Sequence, residues 1–221
     1  MNPMIKLIIF DIDGTLVNAY PAIVASFNHA MRCCGYPARS AAVIRRAVGR
    51  GDVELLRPFV ASRDLRKVLR AYRAHHAGAL IEKARLYPGA RSLLIGLKER
   101  GIMLAVASNR PTRFSRLLLR HVGIRDFFQR VLCKDAVRFG KPHPQILLSI
   151  MRACGVSRQE TLYVGDMVID AQAARRAGVK AVMVTTGSST RAELKHQQPY
   201  LVLPRLTLGR FRTIIRQCTE L

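Results

Sequence analysis

The sequence predicts an α/β fold in three layers, a parallel sheet between two layers of helices, with an α-helical insert after the first strand. Three observations carry this. From residue 87 onward, short β-branched runs alternate with helical stretches that stop at glycines, the pattern of a parallel sheet with crossover helices. The strand runs, such as IMLAVA and TLYV, are apolar throughout rather than alternating, as expected where both faces of a sheet are covered. Residues 17–86 break the alternation, because they read as helical over nearly their whole length. The expected division is therefore a core of residues 1–16 and 87–221 and a helical domain of residues 17–86.

The elements follow in order. Residues 4–10 predict a buried strand. Residues 18–34 predict a helix, with Asn18 as its cap and Gly35-Tyr36-Pro37 as its stop. Residues 40–84 predict three helical pieces, broken at Gly49-Arg50-Gly51 and at Ser62, a candidate N-cap. In the last piece Arg63, Lys67, Arg70 and Arg73 share one face and Leu65, Val68, Leu69 and Tyr72 another, an amphipathic pattern. After Tyr87-Pro88-Gly89 come a helix at 90–100, a strand at 102–107, a helix capped by Thr112 and a strand at 130–133. Then follow a helix at 143–154, a strand at 161–164, a helix at 169–177, strands at 180–185 and 200–203, and a helix at 207–217.

The totals narrow the function classes. With 221 residues, 49% hydrophobic and 23% charged, the chain can bury a full core and reads as an ordinary globular protein. No stretch reaches the roughly 18–20 apolar residues of a membrane span. The run Leu7 to Phe10 is too short for a signal peptide and leads straight into acids. The expected location is cytoplasmic. Cys33, Cys34, Cys133, Cys154 and Cys218 are odd in number and scattered, which points to reduced core thiols rather than disulfides or zinc. The 37 Lys and Arg against 14 Asp and Glu give +23, a field that attracts phosphorylated metabolites, RNA or anionic lipid. The arginines are dispersed and form no nucleic-acid motif, so nucleic acid is not the favoured partner.

In an open parallel sheet, ligands bind beyond the carboxyl ends of the strands. The polar residues there are Asp11 and Asp13, then Ser108 and Asn109, then Asp166 and Asp170, with Lys141 in a Gly-Lys-Pro-x-Pro loop. His75, His76 and His143 read as surface or packing histidines.

FDIDGTL at 10–16, ASN at 107–109, GKPHP at 140–144 and GDMVID at 165–170 occur in this order. Together they resemble the four motifs of the haloacid dehalogenase-like (HAD) hydrolases. The ASNRP segment, the YPG hinge and the Ala-rich stretch after GDMVID look like the phosphoglycolate phosphatase-like subgroup, which has a small helical cap. The resemblance spans nearly the whole chain. It implies a Rossmann-like core and a Mg²⁺-dependent phosphatase acting on a small phosphorylated metabolite through an aspartyl-phosphate.

The resemblance also implies the roles. Asp11, with an ordinary carboxylate pKa near 3.9, is the nucleophile. Asp13 is the general acid and base. Ser108 and Lys141 complete the catalytic set, and Gly14, Thr15 and Asn109 contact the phosphoryl group. Mg²⁺ is bound by Asp11, Asp166 and the Asp13 backbone carbonyl. Asp170 supports them, by holding a metal-bound water or by orienting Lys141. Residues 17–86 are the cap, and Arg50 is a candidate grip on an anionic leaving group. Relatives often carry Asp-Ser where this chain has Asn18-Ala19. The second aspartate argues against a dehalogenase. A sugar-phosphate mutase and an inorganic pyrophosphatase stay open as alternatives, as does an RNA-binding protein on the same fold.

Overall fold

The computed structural model describes residues 4–220, with side chains described up to Arg216. The elements are, in chain order, β1 (Leu7–Phe10), β2 (Val17–Asn18), α1 (Tyr20–Cys33), α2 (Ala41–Ala47), α3 (Asp52–Leu56), α4 (Leu65–Lys83), β3 (Arg85–Leu86) and α5 (Ala90–Lys98). They continue with β4 (Met103–Ser108), α6 (Thr112–His121), β5 (Arg130–Cys133), α7 (Gln145–Cys154), β6 (Thr161–Gly165), α8 (Val168–Ala177), β7 (Lys180–Val184), α9 (Arg191–His196), β8 (Leu201–Leu203) and α10 (Leu208–Glu220).

Six strands form one sheet in the order β5-β4-β1-β6-β7-β8, and every neighbouring pair is parallel. Successive side chains of a strand point to opposite faces, and the apolar runs serve both. Ile8, Phe10, Leu104, Val106 and Val164 face a cluster with α5, α6, α10 and the helices of residues 17–86. Leu7, Ile9, Ala105, Ala107 and Tyr163 face a second cluster with α7, α8 and α9. The sheet is therefore the middle of three layers, as the unbroken apolar strands predict.

Burial is near complete in the centre, where Leu7, Ile8, Ile9 and Phe10 are all 0% exposed. Because the sheet is parallel, the carboxyl ends of β1, β4 and β6 lie side by side along one edge. β1 is between the other two, where the chain order reverses, which is where such sheets bind ligands.

The ends of residues 17–86 run together as a short antiparallel ribbon, with Val17 opposite Leu86 and Asn18 opposite Arg85. Two-residue strands carry no readable periodicity, and the sequence gives no sign of this pairing. Asn18 sits in that ribbon instead of capping α1. The cap position is Ala19, with Pro21 at the first turn, where a missing N–H costs nothing.

Other expected caps also move. Ser40 caps α2 by accepting from the Val43 N–H, whereas Ser62 precedes α4 without capping it and Asp64 holds the cap position. Thr112 is the first residue of α6, and its N–H and hydroxyl both donate to Asp135. Helix α9 was not expected. It begins with a capping box between Thr190 and Glu193. Of the four free cysteines described, only Cys133 is buried and Cys33 is exposed, so the expectation of core thiols holds for one of them. The Cys218 side chain lies outside the described residues. Among the described residues no helix is long and apolar enough to cross a membrane.

Candidate active site

Asp11 leaves β1 at its carboxyl end, where its N–H still donates to the Val164 carbonyl of β6. That bond holds the carboxylate in the middle of the strand-end edge. The Lys141 ammonium reaches it at 2.6 Å and also bonds Asp170 at 2.7 Å and the Tyr163 hydroxyl at 3.0 Å. Tyr163 donates in turn to Asp170 at 2.7 Å. The other Asp170 oxygen accepts from the Met167 N–H at the start of α8. Asp170 is thus both a helix cap and the bracket that orients Lys141.

Asp11, Asp166 and Asp170 are all buried and can each offer an oxygen within 4.8 Å of the others. Three carboxylates face one lysine. Burial pushes Asp11 up to about 7, against the pull of Lys141 and helped by the charges of Asp170 and Asp13. The ordinary value expected for Asp11 is therefore corrected by its surroundings. Burial and the neighbouring carboxylates also hold Asp166 well above the usual range. Burial works against the Lys141 charge, and Asp11 and Asp170 outweigh it, so the ammonium is held above its ordinary value. All the donors in excess are oxygens, and the set is short of positive charge. Both features suit a hard divalent cation.

Asp166 is 0% exposed and accepts from the Thr15 hydroxyl at 2.9 Å, the Tyr20 hydroxyl at 3.3 Å and the Ser188 N–H at 3.3 Å. Thr15 therefore orients a carboxylate rather than facing the cavity. The Gly14 N–H donates to the Val17 carbonyl and is not available to a phosphoryl oxygen. Gly14 is needed for two other reasons: its φ is +85°, and a Cβ there would strike the Asp166 carboxylate.

Gly187 lies against the same carboxylate even more tightly. Gly187→Ala is expected to displace Asp166 and destabilise the fold by about 1–3 kcal/mol. At roughly 2–4 °C per kcal/mol for this length, a fall of several degrees in Tm should appear in thermal denaturation. It should come with a weakened response to divalent cations.

A cavity opens between the strand ends and residues 17–86. Asp11, Asp13, Ser108, Arg110 and Lys141 line it from below, and Gly49, Leu55, Tyr72 and His76 from above. Ser108 is 2% exposed, and its hydroxyl oxygen accepts from the Arg110 N–H at 3.2 Å. The Asn109 side chain is a bracket: it donates to the Gly49 and Lys141 carbonyls and accepts from the Lys141 N–H. The glycine-flanked loop thus docks on the core.

Arg50 itself is exposed and does not line the cavity, and its carbonyl accepts from Lys134 at 2.8 Å. The arginine that does line it is Arg110, the fourth residue of ASNRP, which nothing in the sequence sets apart from the other arginines. Its guanidinium grips Asp13 with two N–H groups, at 2.9 and 2.7 Å. Its remaining amine meets His76 Nε2 at 2.6 Å.

His76 is therefore not a mere packing residue. Burial, then the Arg110 charge, lowers its pKa from 6.5 to about 2. Between those values the unfolded chain binds a proton that the native state does not, so stability rises with pH up to 6.5 and is level above it. Each pH unit below 6.5 costs up to about 1.4 kcal/mol. Urea unfolding of wild type should lose on the order of 2 kcal/mol between pH 7 and pH 5 beyond what His76→Gln loses.

Comparison with known proteins gives a consistent result. Residues 8–184 match the family described as haloacid dehalogenase-like hydrolase. A phosphoglycolate phosphatase of Pseudomonas putida is 32% identical over 228 residues, covering 97% of this chain and 80% of the relative. One from Rhodobacter capsulatus is 33% identical, over 83% of this chain and 86% of the relative. The crystal structure of a predicted phosphoglycolate phosphatase from Haemophilus somnus superposes with a TM-score of 0.90 at 27% identity, covering 95% of this chain and 97% of that one. With its motifs at adjoining strand ends and its family match spanning most of its length, the chain belongs to the haloacid dehalogenase-like hydrolases.

Proposed function

We propose that the chain is a Mg²⁺-dependent phosphatase that hydrolyses a small phosphomonoester of the phosphoglycolate kind. The observation that carries this is the pairing of two unlike carboxylates at one cavity floor. Asp11 sits on Lys141, and Asp13 sits on Arg110.

In this reading an Asp11 oxygen attacks phosphorus and the bond to the ester oxygen breaks. The Asp13 carboxyl gives its proton to that oxygen as the alcohol leaves. A water then attacks the aspartyl-phosphate while Asp13 takes back a proton, and phosphate departs with the Asp11 carboxylate restored. Mg²⁺, when held by Asp11, Asp166 and the Asp13 carbonyl, supplies the positive charge that lets a phosphate dianion approach these acids. Lys141 and the Ser108 hydroxyl hold phosphoryl oxygens from the protein side.

Arg110 takes the place expected of Arg50. When Asp13 carries a proton, the guanidinium keeps one N–H on it and turns the other to a carboxylate on the leaving group. The helices of residues 17–86 act as a cap that closes on the bound substrate and excludes water. Exposed arginines such as Arg113, Arg116 and Arg120 on one face of α6 add to the field that draws anions in.

A panel of phosphorylated metabolites, assayed for phosphate release with and without Mg²⁺, tests the reading. 2-Phosphoglycolate should lead the panel, and EDTA should silence it. No Mg²⁺-dependent release from any small monoester would sink the proposal. With glucose 1-phosphate, stoichiometric free phosphate rejects the mutase alternative, and conversion to an isomeric sugar phosphate supports it.

A further inference from the structure

Asp13 belongs to the loop after β1 and Arg110 to the loop after β4, but the group that holds Arg110 from the other side comes from the helical segment above them. His76 is on α4 and 1% exposed. Its Nε2 accepts from Arg110 at 2.6 Å, so the proton of the neutral ring sits on Nδ1, which donates to the Ser26 hydroxyl at 3.0 Å. The Ser26 hydroxyl, on α1, donates in turn to the Ala22 carbonyl at 2.9 Å. The ring is stacked on Tyr72 and meets Phe114 edge-on. Every polar atom of the imidazole is thereby engaged, and the ring cannot flip without losing both bonds.

A guanidinium has no acceptor of its own, and only a neutral imidazole can receive its N–H. The pKa of His76, lowered by burial and by Arg110, fits that state across the physiological range.

We propose that His76 is the positioning residue for Asp13, fixing the Arg110 guanidinium that aims the carboxyl at the leaving-group oxygen. The inference rests on Asp13 being the general acid. Arg110 spans the cap and the core, so the acid is correctly aimed only while α4 lies over the strand ends. Without the imidazole, a buried Arg110 N–H loses its acceptor, which is costly. The guanidinium then turns to find another, and the Asp13 carboxyl turns with it.

General acid catalysis matters most where the leaving oxygen is strongly basic. A simple alkyl phosphate needs the proton, whereas p-nitrophenyl phosphate departs as a stable phenolate. The test compares kcat/KM, which reports the steps up to transfer to Asp11, for ethyl phosphate and p-nitrophenyl phosphate in Mg²⁺. Ethyl phosphate has no carboxylate, so any grip of Arg110 on the leaving group does not enter.

His76→Leu should lower the ethyl phosphate value at least about ten-fold and the aryl value less than about three-fold, within the range general acid catalysis supplies. His76→Gln can accept from Arg110 with Oε1 and donate to Ser26 with Nε2, and should recover to within about three-fold of wild type. Equal losses on the two substrates, or a glutamine variant no better than leucine, would overturn the proposal. If His76→Leu does not fold, Ser26→Ala leaves the ring packed and removes its anchor, together with the Ser26 contact to His75 Nδ1 at 3.2 Å. It should show the same selectivity at smaller amplitude, and an unselective loss there overturns the proposal equally. Asp13→Asn is the control. If its loss is not greater on ethyl phosphate, the acid assignment itself fails. If it is greater while His76→Leu is unselective, only the link to His76 fails.

Discussion

Asp11→Asn is expected to reduce phosphate release by about 10⁴-fold or more, the scale seen when a covalent nucleophile is removed from an otherwise intact site. The amide has nearly the same shape but no electron pair basic enough to attack phosphorus. Stability should not suffer. Asp11 is one of three buried carboxylates around a single lysine, and burial already works against its charge. Losing that charge relieves the crowding, and Lys141 keeps Asp170 and Tyr163 as partners. Tm should therefore be unchanged or slightly raised while turnover vanishes. Wild-type lability of a phosphoenzyme under single-turnover conditions, absent in the variant, would complete the case. Full Mg²⁺-dependent activity in Asp11→Asn would show that the nucleophile lies elsewhere.

The residues that could be found in the sequence share a physical reason for being visible. Asp11, Ser108 and Asp166 each follow an unbroken apolar run, and a polar group at the end of a fully buried strand has few innocent explanations. The unbroken apolar strands and the helix period placed the layers for the same reason, since burial leaves a mark in the residue order.

What stayed hidden leaves none. Arg110 is one of 37 basic residues, and nothing local separates the one that is buried against Asp13 from those in solvent. His76 looks like any apolar-face histidine until α4 lies over the β4–α6 loop. Thr186, whose hydroxyl donates to the Gly14 carbonyl, and Gly187, packed on Asp166, matter through residues more than 170 and about 20 positions away respectively. Asn18, Ser62 and Thr112 look like caps but are not, because Ser, Thr and Asn satisfy turns and distant partners as readily as helix ends. Thr190-x-x-Glu193 was legible as a capping box, but six residues of helix are too few for a period to show.

Lys141→Met should have the largest effect on stability. Lys141 is 5% exposed and is the one cation in contact with Asp11 and Asp170 among the described residues. Methionine fills much of the same volume, so the loss is chiefly electrostatic. Removing one member of a buried ionic cluster typically costs about 3–5 kcal/mol, because the remaining charges have neither water nor a partner. For a chain of this length that corresponds to a fall of about 10 °C in Tm.

The direction of rescue is the sharper test. A divalent cation binding the native state stabilises by about 2.7 kcal/mol at a hundred times its Kd. In Lys141→Met it would meet three carboxylates with no ammonium among them. The Mg²⁺-dependent rise in Tm should therefore be greater in the variant than in wild type. Activity should not return with it, since Mg²⁺ restores charge but not the ammonium that holds Asp11 and the phosphoryl oxygens. Lys141→Arg should not restore the fold fully either. The ammonium sits among three acceptors at 2.6, 2.7 and 3.0 Å, a pocket sized for a point charge rather than a planar fork. A variant that kept its Tm and answered Mg²⁺ no more than wild type would mean that the carboxylates are not held together by Lys141 at all.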